Sequence, residues 1–199
     1  MRTTRRPDWL GGAAVALVII LGFVAVLAVA GLAEAARRSP TTVAVPISAL
    51  SPLTGAGLRD LAPGASLDPA GTADVVVADP TTSQVLWSLT TWLPALAIGV
   101  AVLVLLLTVV TGARRGDPFT DRTIGRLRAI GILTLLGGPI TIALGALARS
   151  ALSDSVLAGS GDLSPAITLD WLIVGMGFLA LAEVIRRGRS MRQELDEVI

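Results

Sequence analysis

Residues 92–111 read WLPALAIGVAVLVLLLTVVT, and this stretch, which carries no charge, decides the class of protein. A helix of about 20 residues rises about 30 Å, which matches the hydrocarbon core of a bilayer. Three more stretches have a similar apolar character: 9–33, 129–148 and 165–185. The sequence therefore predicts an all-α integral membrane protein with four transmembrane helices.

The composition agrees with this class and excludes several kinds of chemistry. Hydrophobic residues make up 53% of the 199 residues and charged residues only 16%, and the mean hydropathy is +0.75. The chain has no Cys and no His, and all sixteen basic residues are Arg. Because thiolates, imidazoles and lysine amines are missing, we expect no enzyme, no metal and no cofactor.

The distribution of arginine predicts how the chain faces the membrane. Three arginines lie in the N-terminal tail (1–8), five in the segment 112–128 and four in the C-terminal tail (186–199), against four on the other side. Since arginine accumulates on the cytoplasmic side, both termini are predicted to be cytoplasmic. An alternative treats residues 1–35 as a cleaved signal peptide, but their apolar stretch is longer than the roughly 7–15 residues typical of such peptides.

The segment 34–79 is the longest polar piece between two apolar stretches. Residues 41–47 (TTVAVPI) and 73–78 (ADVVVA) are rich in Val and Thr, which favour strands. We expect two or three short strands in a small extracytoplasmic cap, which needs the helix ends for packing because two strands alone are marginal. The cap could sense a ligand or bind a partner, or it could be a structured linker. The second outer loop, 149–164, shows no readable site.

Helix boundaries and anchors follow from local composition. Asp79-Pro80 reads as an N-cap followed by proline at the first helical position, so the second helix is predicted over 80–111. The tripeptide Gly-Gly-Pro at 137–139 is the expected bend in the third helix. All four tryptophans lie near predicted span ends and are expected at the headgroup level: Trp9, Trp87, Trp92 and Trp171.

The cytoplasmic segment 116–131 reads GDPFTDRTIGRLRAIG. Its first three residues predict a turn, and Thr120 is a suitable N-cap for a helix that continues into the third span. We expect Ile124 and Leu127 to face lipid while the arginines contact phosphate headgroups. The segment is thus explained as membrane anchoring, with a surface for a partner protein as the alternative.

This segment, together with residues 181–189 (LAEVIRRGR), resembles the bacterial membrane family called domain of unknown function 2975. Members of that family carry a G-x-P-F-T…R-L-R-x-I-G loop and an A-E-V-F-R-R-G stretch at the end of the fourth helix. Ile185 departs from the family's Phe, and the ending 195–199 follows its pattern only loosely. The resemblance implies four membrane helices and no established activity. It also implies a small helix-turn-helix regulator, often encoded alongside, as a partner.

Two carboxylates limit the fourth apolar stretch. Asp170 and Glu183 bracket twelve apolar residues, which as a helix rise only about 18 Å. We therefore expect at least one carboxylate below the headgroups. Arg186 and Arg187 follow Glu183 by three and four residues, on the same helical face, and Arg126 or Arg128 could approach from the third helix. A structural clamp at Glu183 is the favoured interpretation, with a proton or ion site as the alternative.

The sequence predicts a regulatory or sensory protein of the bacterial cytoplasmic membrane that acts through cytoplasmic protein contacts. The alternative is a small transporter, or an accessory subunit of a membrane complex. Besides the lipid bilayer and the regulator, a second copy of the chain is an open possibility. Direct nucleic-acid binding is not expected, because no aromatic residues accompany the arginines of the tail. The candidate motif or partner-contact residues are Gly116, Asp117, Pro118, Phe119, Thr120, Arg126, Arg128, Glu183 and Arg187.

Overall fold

The computed structural model describes residues 9–47, 50, 71–115, 120–159 and 168–196, with only the backbone at 115 and 192–196. Its elements, in order, are helix α1 (Trp9–Ala36), strands β1 (Thr41–Pro46) and β2 (Thr72–Val77), and helices α2 (Thr82–Arg115), α3 (Asp121–Val156) and α4 (Asp170–Asp196). The described chain is mostly helical, and the predicted short strands form a two-stranded sheet between the first two long helices.

Among the described helices, α1, α2 and α3 are long and apolar enough to cross a membrane. Helix α1 shows this most clearly, because large apolar side chains such as Phe23 and Val26 are 62% and 65% exposed and Ala14 alone is buried. A helix that is apolar all round and is not covered by protein is suited to lipid. Helix α4 is less apolar, since it begins at Asp170 and its second half carries Glu183 and four arginines.

Helix α2 begins at Thr82, two residues after the predicted start, because Thr81 caps it instead of Asp79. The Thr81 hydroxyl accepts the backbone N–H of Gln84 at 3.4 Å. In return, the Gln84 side-chain oxygen accepts the backbone N–H of Thr81 at 2.8 Å. This reciprocal pair is a capping box, and it fixes the first turn of α2.

The chain divides into two compact units: a first unit of Met1–Val29, Ala95–Ile140 and Thr168–Ile199, and a second unit of Ala30–Pro94 and Thr141–Ile167. In the second unit, β1 and β2 pair antiparallel, with Thr41 opposite Val77 and Pro46 opposite Thr72. Alternation along β1 buries Val43 and Val45 against Leu152 of α3. The helix supplies the second layer that an isolated pair of strands lacks, as predicted.

In the first unit, glycines let α3 and α4 pack closely. A Cβ on Gly131 would lie 2.7 Å from Leu179 Cγ, and a Cβ on Gly175 would lie 2.6 Å from Leu135 Cγ. Each helix thus places a leucine over a glycine of the other, which is the small-residue packing expected between membrane helices. Gly177, two residues further along α4, has no such neighbour within 4 Å.

The predicted bend at 137–139 lies inside the continuous helix α3, and its glycines have a packing role. A Cβ on Gly137 would lie 2.6 Å from Ile98 Cδ1 of α2, and the indole of Trp171 lies directly on Gly138. Trp171, for which we predict a position at the headgroup level, is half-buried against α3. Its Nε1 is buried and has no hydrogen-bond partner among the described residues.

The contacts of α4 with α3 fix an antiparallel register. Trp171 lies on Gly138 and Gly175 beside Gly131, and further along α4 Glu183 contacts Arg128. Gly138 is the eighteenth of the 36 residues of α3, so α4 begins beside the middle of α3. The apolar residues of α4 accordingly pair with the first half of α3.

Candidate functional site

The predicted contact residues fall into two groups. Gly116, Asp117, Pro118 and Phe119 lie outside the described residues. The other five are described and belong to the first unit, where the start of α3 and the second half of α4 carry them: Thr120, Arg126, Arg128, Glu183 and Arg187.

Thr120 caps α3 as predicted. Its hydroxyl accepts the backbone N–H of Thr123 at 3.3 Å and lies 3.0 Å from the Thr123 hydroxyl. Thr123 is buried, so this second hydrogen bond satisfies a polar group that water does not reach. The cap therefore positions the first turn of α3, which carries Asp121 and Arg122.

The expectation that Ile124 and Leu127 face lipid is wrong. The two side chains are only 6% and 3% exposed, and they form an apolar cluster with Ala182 of α4. Phe178 and Ile185 of α4 and Val109 of α2 pack around this cluster. The reason is the register of α4, which covers the face of α3 that these residues occupy. The motif segment therefore builds the junction of three helices.

Arg126 also turns inward, although headgroup contact was expected for it. Its Nη1 donates a hydrogen bond to the backbone carbonyl of Thr108 at 3.0 Å and so connects α3 to α2. The guanidinium lies over Gly112, where a Cβ would be 3.6 Å from Nη1. Arg126 is half-buried and already satisfied in part, so it has less freedom than its neighbours to contact a partner.

Glu183 is surrounded by arginines, as the sequence predicts. Arg186 Nη2 donates to its Oε1 at 2.6 Å, and Arg187 Nε donates to the same oxygen at 3.1 Å. Arg128 of α3 approaches Oε2 to 3.7 Å and connects the two helices. The hydrogen bond with Glu183 raises the pKa of the Arg186 guanidinium above its ordinary value, so its charge is retained. The predicted contacts of Glu183 with Arg186, Arg187 and Arg128 are therefore all present.

A second ion pair, Asp121 with Arg189, joins the same two helices and was missed from the sequence. The antiparallel register that pairs Arg128 with Glu183 brings these residues together as well, and only that register could have revealed them. Beside this pair lies a cavity of about 290 Å³, whose wall includes Ile124, Arg186 and Ser190. Asp121 also lies in the first turn of α3, where the positive end of the helix dipole stabilises its negative charge.

Three guanidinium groups at this end of the α3–α4 pair face solvent. The side chains of Arg186 and Arg187 are 58% and 73% exposed. Arg187 contacts Glu183 through Nε, which leaves its two terminal amino groups without a partner in the described part of the chain. Arg122 is exposed and has no ion pair with another described residue. We call Arg122, Arg186 and Arg187 the arginine surface. Such groups suit carboxylates or phosphates.

Comparison with known proteins gives one match. A family model described as "Protein of unknown function (DUF2975)" matches residues 70–199. The match includes β2, α2, α3 and α4. The resemblance was expected over essentially the whole chain, but α1 and β1 lie outside the matched residues. No curated protein matches the chain, and no solved structure matches it. The matched region contains the motif segment and the Glu183 cluster, and with well over half of its residues covered, the chain belongs to the DUF2975 family.

Proposed function

We propose that this protein is a regulatory or sensory protein of the bacterial cytoplasmic membrane that docks a cytoplasmic protein on its arginine surface. The observation that carries the proposal is that Glu183 contacts three arginines, whereas the two terminal amino groups of Arg187 and the exposed guanidinium of Arg122 have no ion pair with another described residue. The partner is a protein with an acidic surface. By family resemblance, we propose a small helix-turn-helix regulator.

The proposed topology has four membrane segments with both termini in the cytoplasm. Helices α1, α2 and α3 supply three of them. Twelve of sixteen arginines lie in the tails and in the α2–α3 connection, which supports their cytoplasmic placement. Helix α4 would occupy the inner half of the bilayer, because it begins beside the middle of α3 and ends in the arginine-rich tail.

The orientation can be tested directly because the chain has no Cys. Ser190→Cys on α4 and Ala158→Cys beyond α3 each introduce a single exposed thiol. In intact cells, a membrane-impermeant maleimide should label Ala158→Cys and should label Ser190→Cys only after the membrane is opened. Labelling of Ser190→Cys from outside would overturn the proposed topology.

Docking is tested by purifying the tagged full-length protein from its host in detergent and identifying the proteins that accompany it. We expect enrichment of a small DNA-binding protein, reduced at least about tenfold when Arg122 and Arg187 are both replaced by Glu. Arg149→Glu, an exposed arginine of the second unit, is the control and should retain the partner. The proposal fails if no such protein is enriched and deletion leaves transcription of neighbouring genes unchanged.

A transporter is the alternative function, and Glu183 would be its ion site. An ion-binding carboxylate must exchange its ligands during transport, but this one contacts three arginines at once. The observed geometry therefore favours a clamp. Loss of a transport phenotype in a Glu183→Gln variant that is expressed normally would reverse this preference.

A further inference from the structure

A cavity of about 250 Å³ lies in the second unit, between the end of α1, the first turns of α2 and strand β1. Half of the twelve residues that line it carry polar or charged side chains, and Glu34 and Arg38 are the two charged ones. Pockets for drug-sized ligands measure roughly 300–1,000 Å³, so this cavity suits a smaller molecule.

The two charges in the wall are of opposite sign but do not pair. No ion pair joins Glu34 to Arg38, and the Glu34 carboxylate has no hydrogen-bond or ion-pair partner in the described ranges. Arg38 donates one hydrogen bond, from Nη2 to the Thr82 hydroxyl at 3.2 Å. A carboxylate and a guanidinium that line one cavity without contact leave room for a molecule that neutralises both.

The backbone at Arg38 is strained in a way that favours a functional role. Helix α1 ends in a Schellman motif, in which Ser39 N–H bonds to the Glu34 carbonyl at 3.2 Å and Arg38 N–H to the Ala35 carbonyl at 3.1 Å. Arg38 occupies the left-handed position of this motif, with φ of 52°, where glycine is usual. A non-glycine residue in that conformation is disfavoured, and such strain concentrates at binding sites.

An aromatic wall completes the cavity. Trp92 of α2 lines it, and its indole lies against Gly31 of α1, where a Cβ would be 3.1 Å from Cζ2. Gly31 therefore admits the ring to this position. The face of an indole attracts a cation such as an ammonium group, and the Glu34 carboxylate lines the same cavity. Ser88 and Thr42 add hydroxyl groups that can donate or accept hydrogen bonds.

We propose that this cavity binds a small zwitterion, such as a free amino acid or a betaine, with its carboxylate on Arg38 and its ammonium group between Glu34 and Trp92. The Arg38 guanidinium selects a carboxylate in the ligand, and the Glu34 carboxylate selects a cationic group. The volume of the cavity limits the size of the ligand. The inference goes beyond the proposed function, since binding here requires neither a membrane orientation nor a cytoplasmic partner.

Isothermal titration calorimetry on the detergent-solubilised full chain tests the proposal, with each free L-amino acid and glycine betaine as separate titrants. At least one should give saturable binding below about 10 mM. For that titrant, the amine without the carboxylate and the acid without the ammonium should each bind at least about tenfold more weakly. Absence of saturable binding throughout the series, or equal binding of a singly charged analogue, overturns the proposal.

Single substitutions distinguish a loss of ligand binding from a loss of structure. Glu34→Gln and Arg38→Gln should weaken binding at least about tenfold, whereas Arg37→Gln, an adjacent arginine that does not line the cavity, should bind as the natural protein does. Arg38→Gly should abolish binding yet raise the thermal unfolding midpoint by about 2–4 °C, because glycine relieves the left-handed strain. A variant that is both destabilised and unable to bind would show that Arg38 is a structural residue.

Discussion

Two glutamates directly follow apolar runs in this protein, and their surroundings differ. Glu183, in the first unit, contacts Arg128, Arg186 and Arg187. Glu34, in the second unit, lines a cavity and has no such partner within the described chain. The same side chain is thus a candidate helix clamp where arginines contact it, and a candidate ligand contact where the nearby arginine does not pair with it. Sequence position alone does not distinguish them, because each follows an apolar run and has arginines three and four residues later.

The largest expected effect comes from separating the helices that bring Arg128 to Glu183. In Gly175→Val, the new side chain would collide with Leu135 and with the Gly131 backbone, so the free energy of unfolding should fall by about 1–3 kcal/mol. Thermal or denaturant unfolding in detergent measures this loss. Gly177→Val in the same helix is the matched control, since Gly177 has open space around it. Equal losses in the two variants would show that close α3–α4 packing does not matter.

In the second unit, which contains Glu34, the capping box at Thr81 stabilises the start of α2. Thr81→Ala removes the hydroxyl half of the capping box and should lower the free energy of unfolding by about 1 kcal/mol. Thr90→Ala, which loses only a hydroxyl bonded to the Leu86 carbonyl within the same helix, should change stability less. Identical unfolding curves for Thr81→Ala and the natural protein would contradict the capping role.

Removing the charge of Glu183 should have a smaller effect, because its ion pairs are partly exposed. We expect Glu183→Gln to lower the thermal unfolding midpoint by about 1–2 °C at low salt. The difference from the natural protein should disappear in about 1 M NaCl, where the Debye length is only about 3 Å. A difference that persists at high salt would point to a role other than charge pairing.

The smallest effect on stability is expected at Glu34. Glu34→Gln should leave the free energy of unfolding within about 0.5 kcal/mol of the natural value, because no described partner is lost. The same substitution should weaken zwitterion binding at least about tenfold, as proposed above. Measuring both quantities on one preparation sharpens the contrast with Glu183. A large loss of stability in Glu34→Gln would mean that the two glutamates have similar structural roles.

The elements of the fold could be predicted because length and composition decide them. An apolar run such as 92–111 has no stable place in water, and the Val- and Thr-rich run 41–47 matches β1 to within one residue. The capping role of Thr120 could also be predicted, because a hydroxyl side chain directly before a helix can accept a hydrogen bond from a backbone N–H of the first turn. The start of α2 was misplaced because Asp79 and Thr81 are both good N-caps, and the reciprocal bond with Gln84 favours the latter.

The wrong placement of Ile124 and Leu127 has another physical origin, because an apolar residue of a membrane helix suits lipid and protein equally well. Ile124 and Leu127 therefore gave no sign of whether they would face lipid or α4. The contact of Trp171 with Gly138 could not be predicted either, since the two residues are 33 positions apart in sequence. The strain at Arg38 was not predictable, because the Schellman motif usually ends in glycine.

The position of α4 beside the first half of α3 has a consequence for how the protein is assembled in a cell. Helices α1, α2 and α3 are apolar enough to enter a bilayer independently, but α4 carries acidic residues at either end of a short apolar run. In the proposed topology, α4 therefore integrates by associating with α3 after that helix has been inserted. Gly131 and Gly175, where the two helices approach most closely, would form the contact surface for this step.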